Sequence, residues 1–259
     1  MPGKKRKADT KMWGSASPSS SSSRRKGSSS RRGGGSSSSS AYGSVGASGA
    51  SGINEGKAEK LFAELCEDDN PDAASMEGIC KLCEQLDIDA LEDVRVLVLL
   101  WKLGANKKPA EIQKEEWMAG CHKLKLDSVD KFKKLLPSLD TGFMDREEFG
   151  DFYKFCFQFN RAGTHKTLEK DLVVALLRMV LIGGRITSGR LDTFCEFLES
   201  TTDTSYSKIT LDQWRSFLDF SYEYPDAKAL EGYDEGMSAW PVLIDEYVEF
   251  MEKLGKKAK

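Results

Sequence analysis

Histidine is nearly absent from this chain of 259 residues, which has only His122 and His165. Neither stands beside a recognisable nucleophile motif, so the usual base for a catalytic serine or cysteine is missing. Long apolar runs are missing too, and none approaches the roughly 18 residues that a membrane span needs. The start, Met1-Pro2-Gly3-Lys4, lacks a signal-peptide core, and proline stands where myristoylation requires glycine. No phosphate cradle appears either: Gly183-Gly184 and Gly189 lack the Lys-Ser/Thr ending of a P-loop. These absences argue against catalysis and against a membrane partner. Six cysteines without a secretory signal read as reduced thiols, so the expected location is nucleus and cytoplasm.

What is present is a split in charge. The net charge of −3 is made of two unequal parts. Residues 1–55 hold ten of the 38 basic residues and two of the 41 acidic ones, a net of +8. The remainder holds 28 basic and 39 acidic residues, a net of −11. A basic tail on an acidic body predicts two kinds of partner, and the acidic body argues against specific nucleic-acid binding.

Residues 1–54 are low in complexity, with serine and glycine runs and almost no apolar anchor. Ordering them would cost backbone entropy with no burial to offset it, so a disordered tail is expected. Within it Lys4-Lys5-Arg6-Lys7 matches a short nuclear import signal, or else is a solvated charge run. Residues 255–259 form a short basic end.

From residue 56 to 254 the apolar spacing is helical. One stripe is Leu61, Phe62, Leu65 and Cys66, and Ser75 can cap a second helix bearing Met76, Ile79, Leu82, Cys83 and Leu86. Asp89 with Glu92 resembles a capping box for a helix over 91–103 that Gly104 ends. That stretch also fits a buried strand, but its length, cap and neighbours favour a helix. Further helices are expected near 117–124, 127–136 and 146–160, then over 168–181 behind a Thr167 cap, and over 190–199. Thr210 with Gln213 makes a capping box for 211–222, and Leu243, Tyr247, Phe250 and Leu254 stripe a last helix over 240–254. The fold class is therefore all-α, with about ten helices and no convincing strand.

Metal and thiol chemistry find little support. An EF-hand loop opened at Asp68 continues with Asn70 and Asp72, but puts Ala73 at the glycine position and Ile79 at the glutamate position. One opened at Asp87 meets Leu91 and Glu92 at its fifth and sixth positions. The alternative function, an EF-hand-derived calcium-binding regulator, thus lacks ligands. Cys80-Lys81-Leu82-Cys83 has no second pair to complete a zinc site, and Cys83 lies on the apolar stripe. No cofactor and no metal are expected.

The last helix combines its apolar stripe with the acidic Asp245, Glu246, Glu249 and Glu252. The run 233–250, with Ala239-Trp240-Pro241-Val242-Leu243-Ile244-Asp245 at its centre, and Ile209-Thr210-Leu211-Asp212-Gln213-Trp214 closely resemble the defective-in-cullin-neddylation family. Glu77-Gly78-Ile79, Trp101-Lys102, Glu115-Glu116-Trp117, Asp127-Ser128 and Asp151-Phe152-Tyr153 support the likeness, which spans about 56–254. It implies a potentiating-neddylation domain, two-lobed and compact, built of EF-hand-like helix pairs without metal loops. It also implies a non-catalytic scaffold, monomeric alone, that promotes transfer of a ubiquitin-like modifier from its conjugating enzyme to a cullin.

In the family an acidic surface around a small residue receives basic residues of the cullin C-terminal domain, and Asp212, Ala239 and Asp245 hold the matching positions. A second surface, an apolar groove, takes the N-acetylated N-terminal helix of the conjugating enzyme. Its matching positions are Met76, Ile79, Leu82, Cys83, Val96, Leu99, Leu103, Phe159 and Met179. Acetylation removes the α-amine charge, so the terminus can enter an apolar pocket without stranding an ion. The chain departs from the family pattern by one extra residue between Tyr233 and Ala239, by the length of 104–111, and by Leu103 where many relatives carry an aromatic.

Overall fold

A computed structural model describes residues 52–236 and 239–257. The import run Lys4, Lys5, Arg6 and Lys7, nearly all of the expected tail, and residues 258–259 lie outside the described residues.

Side-chain oxygens open the helices much as the sequence predicts. Asn54 accepts from the backbone N–H of Lys57 at 3.0 Å and starts α1, Glu55–Leu65. Ser75 accepts from Glu77 at 3.2 Å and starts α2, Met76–Leu86. The third helix differs. α3 is Arg95–Leu103, four residues shorter than expected. The Asp89 carboxylate does accept from the N–H groups of Leu91 and Glu92, at 2.7 and 3.2 Å, but it closes a turn there. Asp93 then binds the Arg95 N–H and guanidinium, a local alternative to helix hydrogen bonds. Gly104, at φ 85°, ends α3 in the left-handed region that glycine tolerates.

The expected absence of strands needs a second correction. β1, Ala73–Ala74, follows α1, and it pairs antiparallel with β2, Ile112–Gln113, which precedes α4, Lys114–Leu124. After α5, Val129–Leu135, and α6, Arg146–Phe159, the pattern repeats. β3, Thr167–Glu169, leads into α7, Lys170–Val180; α8, Ser188–Ser200, leads to β4, Lys208–Thr210, and β3 pairs antiparallel with β4. Thr167 is thus a strand residue and not a cap. Strands of two and three residues are too short to show alternation in sequence. Each ribbon ties one helix–loop–helix to the next, which is the EF-hand-like pairing that the resemblance implies.

Within each pair the helices pack closely. A Cβ on Gly78 would fall 2.1 Å from the Leu65 carbonyl oxygen, and one on Gly120 would fall 2.6 Å from that of Leu103. In the first unit Trp117 stacks on Phe132 at 5.2 Å and donates to the Ala58 carbonyl at 3.1 Å. In the second, Tyr153 of α6 stacks at 4.3 Å on Trp214 of α9, Leu211–Glu223. Each of these two rings donates to the other residue's backbone carbonyl, at 3.2 and 2.9 Å. Burying both polar tips with partners avoids the cost of a stranded donor. The short α10, Ala227–Leu230, leads to α11, Val242–Lys257, which packs against α8 and α9. No helix among the described residues is long and apolar enough to cross a membrane.

Candidate functional site

The capping box expected at α9 is present: the Gln213 N–H reaches Thr210 Oγ1 at 3.2 Å, and the Thr210 N–H reaches Gln213 Oε1 at 2.9 Å. It fixes the first turn, where Asp212 stands exposed with its carboxylate beside the helix N-terminus. Asp245 occupies the first turn of α11 and is half-buried. It accepts a hydrogen bond from the Tyr233 hydroxyl. Tyr233 and Trp240 both meet Phe220 edge to face, with centroids 5.9 Å apart in each case. The segment leading to α11 is therefore fastened at both ends to α9, and Ala239 lies exposed next to Trp240.

Among the described residues no basic side chain forms an ion pair with Asp212 or Asp245, and no hydrogen bond joins the two carboxylates. Phe220 lies eight residues beyond Asp212, roughly 12 Å along the helix at 1.5 Å per residue. A third acidic group stands near Asp245. Tyr206, in the turn before β4, is held as a phenol by burial and by its hydrogen bond to Glu246, which push it up to about 12. Asp203 and Asp245 act on it in the same direction. Tyr206 was not singled out by sequence, because its contact with Glu246 of α11 crosses a distance that no local pattern records.

The apolar set behaves differently. Ile79, Leu82, Cys83, Val96, Leu99, Leu103, Phe159 and Met179 are all buried, between 1% and 5% exposed, in one continuous core, and Met76 is half-buried. Burial at this level leaves little of their surface to solvent. Phe159 borders a cavity of 100 Å³ together with Ala105, Lys107, Pro109 and Phe155. The adjoining 104–111 loop is pinned by Glu116, whose carboxylate accepts from the N–H groups of Asn106, Lys107 and Gln113 at 2.7 to 2.9 Å.

Reactive chemistry is not favoured at the thiols. Burial pushes Cys83 and Cys121 up to about 12 and Cys195 to about 11, and Cys80 is raised by burial and then by Glu84 and Glu77. Protonated thiols are poor nucleophiles. His122 faces the Glu55 carboxylate at 3.1 Å. Among the described residues no group of three or more His, Cys, Asp or Glu is placed to hold a metal ion.

A family model described as cullin binding matches residues 131–250. Human DCN1-like protein 5 is 32% identical over 204 residues, 78% of this chain and 81% of that relative. The chain belongs to the DCN1-like family. Zebrafish (Danio rerio) DCN1-like protein 4 is 34% identical over 69% of this chain and 60% of its own length. Xenopus laevis DCN1-like protein 3 is 31% identical over 78% of this chain and 64% of its own. The stretch matched by the family model takes in α9 and the first part of α11, and with them Asp212, Ala239 and Asp245. The α2 and α3 residues of this DCN1-like chain precede it.

Proposed function

We propose that this chain binds a cullin C-terminal domain on the surface of Asp212, Ala239 and Asp245, and thereby promotes attachment of a ubiquitin-like modifier to the cullin. It acts as a co-factor, without a covalent intermediate. The observation that carries the reading is the cullin-binding match over 131–250, the stretch that contains all three residues. The geometry supports it: among the described residues the two carboxylates stand without a basic partner, and a small side chain at Ala239 leaves room for an incoming one. Paired negative charges steer a basic partner and fix its register. The raised thiols support a role without a nucleophile. Titrating a cullin C-terminal domain against Asp212→Lys and Asp245→Lys tests the assignment. Both variants should stay folded and lose binding; undiminished binding by both would remove the cullin surface.

The same reading includes a second contact, with the N-acetylated N-terminal helix of the modifier's conjugating enzyme. The nine apolar residues from Met76 to Met179 named above would receive it. Since eight of them are buried, side chains there must part before a peptide enters, and the cavity beside Phe159 is where space already exists. Holding both proteins would raise the rate by effective concentration and orientation. Acetylated and free forms of one conjugating-enzyme peptide separate this contact from general stickiness: only the acetylated form should bind. The run Lys4-Lys5-Arg6-Lys7 is proposed as a nuclear address, checked by the location of a chain in which all four are alanine.

A further inference from the structure

A second cavity, of 480 Å³, lies where the start of α8 meets α10 and α11. Arg190 lines it, 6% exposed, and its guanidinium has no carboxylate partner among the described residues. One of its five N–H donors reaches Met251 Sδ at 2.9 Å and another the Tyr224 carbonyl, while Nε has no acceptor at all. The Phe220 and Tyr247 rings, 5.2 and 6.0 Å away, take part of the charge. A guanidinium stays protonated however it is buried, so an unpaired one is costly unless an anion reaches it.

Two further features favour an anion. α8 is 13 residues long, and its N-terminus, Thr187 to Gly189, borders the cavity. The Thr187 side chain accepts from the Arg190 N–H, and among the described residues the N–H groups of Ser188 and Gly189 have no acceptor. The rest of the lining is apolar at Pro225, Leu230, Val248 and Met251, but it also includes Asp226, Glu231 and Glu252. Those carboxylates oppose a phosphate or a dianion. We propose that this cavity is a binding site for a monocarboxylate on an apolar stem, its carboxylate on Arg190 and the start of α8, its stem against Leu230, Val248 and Met251. The volume suits a small ligand of that kind.

The site is independent of the cullin reading, because its test reads ligand binding alone. The full chain is titrated with hexanoate, hexanol, hexylamine and inorganic phosphate, following the Met251 methyl resonance and heats of binding. Hexanoate should shift the resonance and bind about tenfold to a hundredfold more tightly than hexanol, the worth of hydrogen bonds to a charged group. Arg190→Gln should erase that preference. If this variant does not fold, Leu230→Trp, which fills the half-buried mouth and leaves Arg190 in place, should block hexanoate. Equal binding of hexanol, preference for hexylamine or phosphate, an unshifted resonance, or hexanoate binding undisturbed by Leu230→Trp would each overturn the proposal.

Discussion

The two proposed contact surfaces are built on opposite terms. The Asp212, Ala239 and Asp245 surface is already presented: its charges stand in or near water, and Tyr233 and Trp240 both pack against Phe220 of α9. The apolar set of α2, α3, α6 and α7 is the interior of the fold, with eight of nine residues buried. A charged surface keeps its hydration until the partner arrives, so it can be pre-organised at little cost in stability. An apolar set left open would expose the same surface to water, so in the fold it is buried against its neighbours. The difference means that mutations on the first surface report on binding, whereas mutations on the second report first on folding.

The largest contrast expected is in stability. Ile79→Arg or Leu99→Arg buries an unpaired charge and should cost roughly 4 kcal/mol or more, against about 0.5 kcal/mol or less for Asp212→Lys at an exposed position. Urea unfolding of the three variants measures this, and similar midpoints would end the distinction between surface and core. Next comes binding: Asp212→Lys and Asp245→Lys should each weaken cullin affinity by roughly tenfold to a hundredfold with little change in melting temperature.

Gly120→Ala is expected to lower stability by about 1–3 kcal/mol, because the new methyl meets Leu103 backbone that cannot rotate away. It should leave the acidic surface intact, so calorimetry of cullin binding by the folded fraction ought to give the wild-type affinity. Tyr233→Phe has a smaller effect, of the opposite kind. Losing a hydroxyl bonded to a carboxylate is worth about 1.5 kcal/mol or less, felt as weaker cullin binding more than as unfolding. The smallest effect concerns pH. Tyr206 titrates at about 12 in the fold against an ordinary value near 10, so its contribution is complete below about 10 and is lost as pH rises toward about 12. Tyr206→Phe should flatten that part of an alkaline stability profile.

Much of this was legible locally. The Ser75 and Thr210 caps, the Gly104 stop and the apolar stripes of α2, α6 and α11 each depend on residues a few positions apart, and the structure repeats them. Where two local solutions compete, sequence misleads. Asp89 looks like a helix cap, yet its carboxylate closes a turn, because Asp93 and Arg95 satisfy each other at the true start of α3. The paired ribbons escaped notice because a two-residue strand has no periodicity and its partner lies across a whole helix pair.

By itself, then, the sequence determined the helical class, the sign of the body's charge, the poverty in catalytic groups and the family. Each rests on composition, on spacing within one turn or on an unusual string. Tertiary structure alone decided three things: Asp245 is held by Tyr233, the apolar set is buried, and Arg190 is buried without an ion pair among the described residues. All three depend on which helices meet, and the burial and desolvation that set these energies do not exist until the helices pack.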